Sequence, residues 1–334
     1  NCIGAQTDIL FDGGSAVLSG DGLCYEELPF FIEDLQYYDL DSVTAGGINR
    51  EQEKNEIELI YQALVLGIRD YFNKMGFSKA ILGLSGGIDS ALTACLAVAA
   101  LGKDQVRVLL MPSQYSSEGS VLDAIALADN LGIQYDTIPI GSVFNEYKST
   151  LDPYFKNLPE NVTEENIQAR IRGMLLMAFS NKFSSILLNT TNKSEMAVGY
   201  GTLYGDLCGG LAVLADVYKT QVYQLANYIN RQNEIIPENT IQKPPSAELK
   251  PGQKDSDSLP DYSILDKILY QYIEKSLGPK ELIQMGFDPA IVMQTLKMVN
   301  RAEFKRYQSP PVIRVSSKSF GLGRRMPIEA KYLN

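Results

Sequence analysis

Between residues 80 and 188 the chain alternates short apolar runs with helical stretches, and few folds accommodate that rhythm. Residues 80–84, 106–111, 135–140 and 185–188 read as strands. Residues 90–101, 121–131 and 167–183 read as helices, the first two stopped by Gly102 and Gly132. Strand–helix alternation of this kind requires parallel strands, right-handed crossovers and helices on both faces of one sheet. The expected fold class is therefore α/β, a doubly wound parallel sheet. Ligands of such sheets sit beyond the carboxyl ends of the strands. The loops after Leu84, Met111 and Leu188 are where a site is expected. Ahead of the alternation, Ile57, Ile60, Tyr61, Leu64, Ile68, Tyr71 and Phe72 recur at helical spacing, so one long amphipathic helix is expected over 51–75. Residues 1–40 differ. Ile9-Leu10-Phe11 and Ala16-Val17-Leu18 are broken by Asp12-Gly13-Gly14-Ser15 and Gly20-Asp21-Gly22, the pattern of a β-hairpin too short to close a core. Residues 41–50, small and polar with Gly46-Gly47, read as a linker.

Composition narrows the chemistry. The 334 residues include no histidine, which removes Ser-His-Asp triads, Cys-His pairs and imidazole bases. Lys+Arg is 30 against Asp+Glu 40, a net charge of −10, so no nucleic-acid partner is expected. No apolar run approaches the ~20 residues that cross a bilayer, and no charged-then-apolar leader opens the chain. A cytoplasmic protein without a membrane partner is expected. Cys2, Cys24, Cys95 and Cys208 form no C-x-x-C pair and read as reduced, idle thiols. The chain opens on Asn1, and a fragment or processed product is expected.

The strongest local signal is Leu84-Ser85-Gly86-Gly87-Ile88-Asp89-Ser90, where the first strand hands over to a helix. Gly86 and Gly87 lack Cβ atoms and would let backbone approach a ligand. The free amides of the helix start make an anion seat, to which Ser85 and Ser90 add hydroxyls. A carboxylate beside phosphate is repulsive unless a cation lies between, so Asp89 implies a hard divalent ion such as Mg²⁺. The string lacks the Gly-Lys-Ser/Thr of a Walker A loop and the G-x-G-x-x-G of a dinucleotide loop. The plainer alternative is a glycine turn with an aspartate in the helix's first turn.

Ser85-Gly86-Gly87-Ile88-Asp89-Ser90 resembles the pyrophosphate loop of the ATP pyrophosphatases, enzymes of the adenine-nucleotide alpha-hydrolase fold that cut ATP between its α and β phosphates. Further blocks resemble the NAD synthetase branch. They are Asn189-Thr190-Thr191-Asn192-Lys193-Ser194-Glu195, then Gly199-Tyr200-Gly201-Thr202-Leu203-Tyr204-Gly205-Asp206, then Lys219-Thr220. Asn166-Ile167-Gln168-Ala169-Arg170-Ile171-Arg172 resembles that branch's dinucleotide-holding helix. Lys243-Pro244-Pro245-Ser246-Ala247-Glu248-Leu249 and the stretch from Gln253 to Pro260 resemble its substrate-closing loop. The resemblance places this domain at 51–334.

What the resemblance implies is ATP-dependent amidation of deamido-NAD to NAD, through an adenylated nicotinate carboxylate displaced by ammonia, with release of AMP and pyrophosphate. Asp89 and Glu195 are then expected to hold Mg²⁺; Ser85, Gly86, Gly87, Ser90, Thr190 and Ser246 to bind ATP and its pyrophosphate. Lys219 is expected to neutralise phosphate charge, Asp206 to orient or deprotonate ammonium, and Asn166, Arg170 and Lys243 to meet deamido-NAD. Each has a plainer rival: Lys193 and Glu195 as exposed helix charges, Asp206 as a turn residue, Arg170 and Arg172 as a solvated face. Residues 1–40 resemble the end of a nitrilase-type glutaminase domain, which implies ammonia from glutamine in a longer parent and free ammonia for this chain alone. The family implies a homodimer or larger homo-oligomer. Two other readings stay open: a different ATP-pyrophosphatase amidotransferase of GMP synthetase type, and a nucleotide-binding regulator without turnover.

Overall fold

Two antiparallel hairpins come first in the computed structural model, which describes residues 1–6, 8–46, 54–156, 158–329 and 333. β1 (Ile3–Gln6) pairs with β2 (Ile9–Asp12), and β3 (Ala16–Leu18) with β4 (Cys24–Glu27). Two hairpins thus replace the single one expected. Gly13 and Gly14, both at positive φ, join the hairpins, and Gly20-Asp21-Gly22 turns the second. Ile9, Phe11, Leu18 and Leu23 stay exposed, so the hairpins close no core of their own. They lean on the next long helix, where the Ala5 amide donates to Asp70 Oδ2 (2.7 Å) and Lys74 Nζ donates to the Ala5 carbonyl (2.6 Å).

α1 (Leu40–Ala45) occupies part of the expected linker; its remainder at 47–50, and the expected helix start at 51–53, lie outside the described residues. α2 (Glu56–Met75) begins where the Asn55 side chain accepts from the Ile57 and Glu58 amides. It ends at Gly76, whose φ of 75° is a left-handed cap. Ile60, Leu64, Ile68 and Phe72 form its buried stripe, as their spacing requires.

The alternation then unfolds as β5 (Ala80–Gly83), α3 (Ile88–Leu101), β6 (Val106–Leu110), α4 (Glu118–Leu131), β7 (Gln134–Thr137), α5 (Gly141–Phe155), α6 (Val162–Phe183) and β8 (Ile186–Asn189). After it come α7 (Lys193–Val198), β9 (Leu211–Ala212), α8 (Lys219–Ile229), α9 (Glu238–Gln242), α10 (Tyr262–Ile273), α11 (Pro279–Gln284), α12 (Pro289–Arg301) and α13 (Glu303–Arg306). The sheet runs β7-β6-β5-β8-β9, parallel at every pairing. Side chains alternate across it. Leu82, Val108 and Leu188 pack with α2, α3 and α8, while Ile81, Leu109 and Leu187 pack with α5 and α6. Each fully buried aliphatic side chain contributes roughly 1.5–3 kcal/mol. Helices on both faces of a doubly wound sheet are what the rhythm implied. Among the described residues no helix is long and apolar enough to cross a membrane.

Several boundaries moved: α3 starts at Ile88 and α4 at Glu118, β6 ends at Leu110, and β8 lies one residue later. β7 stops at Thr137 because Ile138 to Ile140 turn into α5, burying Ile140. α6 starts five residues early, on an Asn161–Glu164 capping box. The winding gives the fold its functional consequence. β5, β6 and β7 step one way, and β8 then returns to the other side of β5. Between β5 and β8 the crossovers therefore splay apart, leaving a crevice above the strand ends.

Candidate active site

A cavity of about 820 Å³ fills that crevice, lined by the carboxyl ends of β5, β6 and β8 and the loops that follow them. Ser85, Gly87, Asp89 and Ser90 line it from the first loop, Thr190 and Glu195 from the third. The first loop is drawn tight by its own hydroxyls: Ser90 Oγ donates to the Gly87 carbonyl (2.9 Å), and Ser85 Oγ accepts from the Gly87 amide (3.2 Å). Gly87 is the N-cap of α3, so the amides of that 14-residue helix open toward the cavity.

Gly86 has a different reason to be glycine than the one expected. It is buried at φ +81° and does not line the cavity; a methyl group there would lie 2.1 Å from the Ser120 carbonyl oxygen. The missing side chain admits the backbone of α4, not a ligand. Gly87 retains the ligand-facing part.

Behind the cradle sits an acidic cluster with one ammonium among its described residues. Lys219, the first residue of α8, places Nζ 2.5 Å from Asp89 Oδ2 and 3.8 Å from Glu195 Oε1. Asn192 Nδ2 donates to the other Asp89 oxygen (2.9 Å). Asp255 lies in the same field and accepts from the Tyr262 and Tyr200 hydroxyls at 3.0 and 3.3 Å. Burial raises the pKa of Glu195 well above the carboxylate range, the negative charge of Asp89 adds to this, and Lys219 only partly offsets it. Burial by itself would lower Lys219, but Asp89 and Glu195 overcome it and hold the ammonium charged. Three carboxyl groups against one ammonium leave an excess of acidic oxygens, and the raised pKa values of Glu195 and Asp255 mark how little of their charge is offset. Among the described residues no three or more acidic or thiol side chains converge as a complete metal cage. An oxygen-only donor set with that excess suits a hard divalent cation completed by phosphate oxygens.

Lys219 is fixed from its backbone. Its amide donates to Ser194 Oγ (2.9 Å), Ser194 Oγ lies 2.5 Å from Asp266 Oδ1, and the Thr220 amide donates to Asp266 Oδ2 (2.8 Å). Lys193 is not an exposed helix charge; it is fully buried, 2.9 Å from Asp216 and 3.0 Å from Glu274. Glu195 likewise faces the cavity and not the solvent of a helix surface.

Asp206 reaches the cavity from the loop before β9, both carboxylate oxygens accepting from the Thr202 amide at 3.0 and 3.1 Å. Desolvation by the surrounding protein raises its pKa, against the Thr202 bond and the nearby Lys305 and Arg172 charges. Residues 243–250, with Gln253 and Asp255, line another side of the cavity. Lys243 Nζ bonds Asp123 Oδ2 and Ser120 Oγ, both at 3.0 Å, and Gln168 Nε2 donates to the Leu249 carbonyl (2.9 Å). Ser246 lines the cavity, its hydroxyl donating to the Gln253 carbonyl within the same segment. Asn166 lines it from α6.

Arg170 does not. It is exposed, and its guanidinium donates to the Leu203 carbonyl and Thr202 Oγ1. Arg172, half a turn on, is the α6 arginine inside: Nε donates to the Met111 carbonyl (3.1 Å), and burial lowers its pKa to about 10. The i and i+2 positions of a helix face different ways, so only one of the pair can enter. Sequence reasoning passed over Arg172, Asp255 and Lys305, all of which line the cavity. For the first two the signal was there, in the quoted blocks. Lys305 lies on α13, beyond any of them.

Comparison with known proteins accords with this geometry. A family model described as NAD synthase matches residues 60–309. A glutamine-dependent NAD(+) synthetase of Synechocystis sp. is 51% identical over 332 residues, covering 98% of this chain and 59% of that protein. The solved structure of glutamine-dependent NAD+ synthetase from Acinetobacter baumannii in complex with ADP superposes with a TM-score of 0.67 at 44% identity, covering 98% of this chain and 60% of that one. NMN synthetase from Francisella tularensis gives 0.65 at 28% identity, covering 76% and 97%. The chain thus spans about three-fifths of the glutamine-dependent relatives it matches.

Proposed function

The chain belongs to the NAD synthase family, and from that premise we propose that its cavity amidates deamido-NAD to NAD at the expense of ATP. In this reading the nicotinate carboxylate of deamido-NAD attacks the α-phosphorus of ATP, the bond to the β-phosphate oxygen breaks, and pyrophosphate leaves. Ammonia then adds to the acyl carbon, the carbon–oxygen bond to phosphate breaks, and AMP departs. Neither step requires an imidazole. Both require neutralised phosphate charge and aligned reactants, which can supply on the order of 7–11 kcal/mol of the barrier.

The observation that carries the reading is the meeting of Asp89, Glu195 and Lys219 behind the cradle of Ser85, Gly87 and Ser90. Asp89 and Glu195 would hold Mg²⁺, whose charge would draw electrons from the phosphate oxygens. Lys219, whose ammonium lies between Asp89 and Glu195, would neutralise charge on the pyrophosphate. Thr190 and Ser246 contribute hydroxyls, and Lys243 and Asn166 meet the dinucleotide with Arg172, which takes the place expected of Arg170. Asp206 accepts the ammonium proton as ammonia attacks. The exposed hairpins at 1–40 are then the end of a glutaminase domain, so this chain uses free ammonia, and a homodimer or larger assembly is its working form.

The test is pyrophosphate release from ATP and Mg²⁺ with each substrate withheld in turn. Release should require ammonium and deamido-NAD and persist without glutamine. Turnover with nicotinate mononucleotide in place of the dinucleotide would move the chain to the NMN synthetase type, xanthylate-dependent release would move it to the GMP synthetase type, and nucleotide binding with no release would leave a regulator.

A further inference from the structure

Among the residues that line the cavity, we propose that Glu248 is a positioning residue: it locks the closing segment to α4 and, through Ser120, braces the backbone of the phosphate cradle. The inference rests on reading the cavity as an ATP site. Glu248 stands at φ +47°, a left-handed conformation that strains a non-glycine residue and persists only where the surroundings over-determine it. The surroundings here are specific. The Glu248 carboxylate lies 2.8 Å from Ser120 Oγ, 3.0 Å from Ser117 Oγ and 3.2 Å from the Ser117 amide. Ser117 is the N-cap of α4, so the negative charge also meets the positive end of a 14-residue helix.

Ser120 makes the connection to the chemistry. Its hydroxyl is shared by Glu248 and by Lys243 Nζ (3.0 Å), two oppositely charged residues of the closing segment. Its carbonyl covers Gly86 so closely that no Cβ fits between them. One residue therefore touches the closing segment with its side chain and the cradle with its backbone. Lifting Glu248 off α4 removes one of three partners of the Ser120 hydroxyl, beside Ser117 Oγ and Lys243 Nζ, and loosens the first turn of α4, whose Ser120 carbonyl walls Gly86. Glu248 lines the cavity, but its carboxylate is turned to Ser117 and Ser120, so its role is to position through Ser120.

The experiment uses Glu248→Ala, Glu248→Gln and Ser120→Ala in the whole chain. Two readouts are taken: the KM for ATP and kcat of pyrophosphate release, and tryptic cleavage after Lys250 and Lys254 with and without ATP and Mg²⁺. For Glu248→Ala the KM for ATP should rise about tenfold or more, the scale of a lost hydrogen bond to a charged group. Cleavage should become fast and indifferent to nucleotide, while the urea midpoint holds. Glu248→Gln, which keeps an acceptor, should recover part of both. If Glu248→Ala is unfolded, Ser120→Ala must show the same pair of effects. An unchanged KM with nucleotide still slowing cleavage overturns the proposal and leaves the enzymatic reading intact. If the parent chain releases no pyrophosphate yet nucleotide protects it and not Glu248→Ala, the enzymatic reading fails and the lock stands.

Discussion

Replacing Gly86 by alanine tests how the cradle is held. The added methyl would sit 2.1 Å from the Ser120 carbonyl oxygen and 2.8 and 2.9 Å from its carbon atoms, all backbone and unable to swing aside. A comfortable carbon–oxygen separation is about 3.3 Å or more, so the loop or α4 must move by about 1.2 Å. The φ of +81° adds left-handed strain of roughly 1–2 kcal/mol. Overpacking adds roughly 1–3 kcal/mol. If the fold absorbs both in place, stability falls by about 2–5 kcal/mol. If the cradle moves to escape them, a shift near 1 Å misaligns the phosphates and slows turnover on the order of a hundredfold. Gly87→Ala is the control. Its φ is −80°, and its methyl meets only Ser85 Oγ at 3.3 Å, so stability should change by under about 1 kcal/mol while nucleotide affinity suffers. Urea unfolding and pyrophosphate release, measured on both, separate packing from ligand contact. A Gly86→Ala chain as stable and as active as the parent would refute the packing argument.

Three further outcomes follow from the same geometry. Lys193→Met strands Asp216 and Glu274 in the interior without their cation, and urea denaturation should show a loss of about 3–5 kcal/mol. Because burial raises the Asp206 pKa, its ionised fraction grows with pH only above the ordinary carboxylate range. Ammonia-dependent kcat/KM should therefore show a rising acid limb there; Asp206→Asn should abolish that limb and lower the rate by roughly 10²–10⁴. Burial pushes the thiols of Cys95 and Cys208 up to about 12 and about 11, so at pH 8 an alkylating reagent should modify exposed Cys2 and spare both until urea opens the fold, as peptide mass spectrometry can follow.

The doubly wound sheet was legible because β5, β6 and β8 carry short apolar runs that survive without knowledge of contacts, whereas the polar β7 was placed partly out of register and the two-residue β9 was not read at all. The loop proposed to cradle phosphate was legible for a related reason: Ser85, Gly87, Asp89 and Ser90, which line the cavity, lie within six consecutive positions. What escaped was nonlocal. Gly86 reads as a ligand-facing glycine until the approach of Ser120, 34 positions later, is seen. Arg170 and Arg172 are indistinguishable by type, and only the rotation of α6 against Thr202 and Met111 decides which one enters. Of the helices after β8, α7, α9, α11 and α13 run only four to six residues, too brief for a periodicity to register, while the longer α8, α10 and α12 carried one that went unread. The hairpin pairing failed because four strands of three or four residues leave register to turn geometry, with no hydrophobic face to enforce it.

The central claim is that this cavity joins a carboxylate to the α-phosphate of ATP before ammonia arrives. Deamido-NAD labelled with ¹⁸O in the nicotinate carboxylate tests it in one turnover. Mass spectrometry should find one label transferred to the phosphate of AMP and none in pyrophosphate. Label appearing in inorganic phosphate beside ADP, or AMP formed without any label, would contradict it.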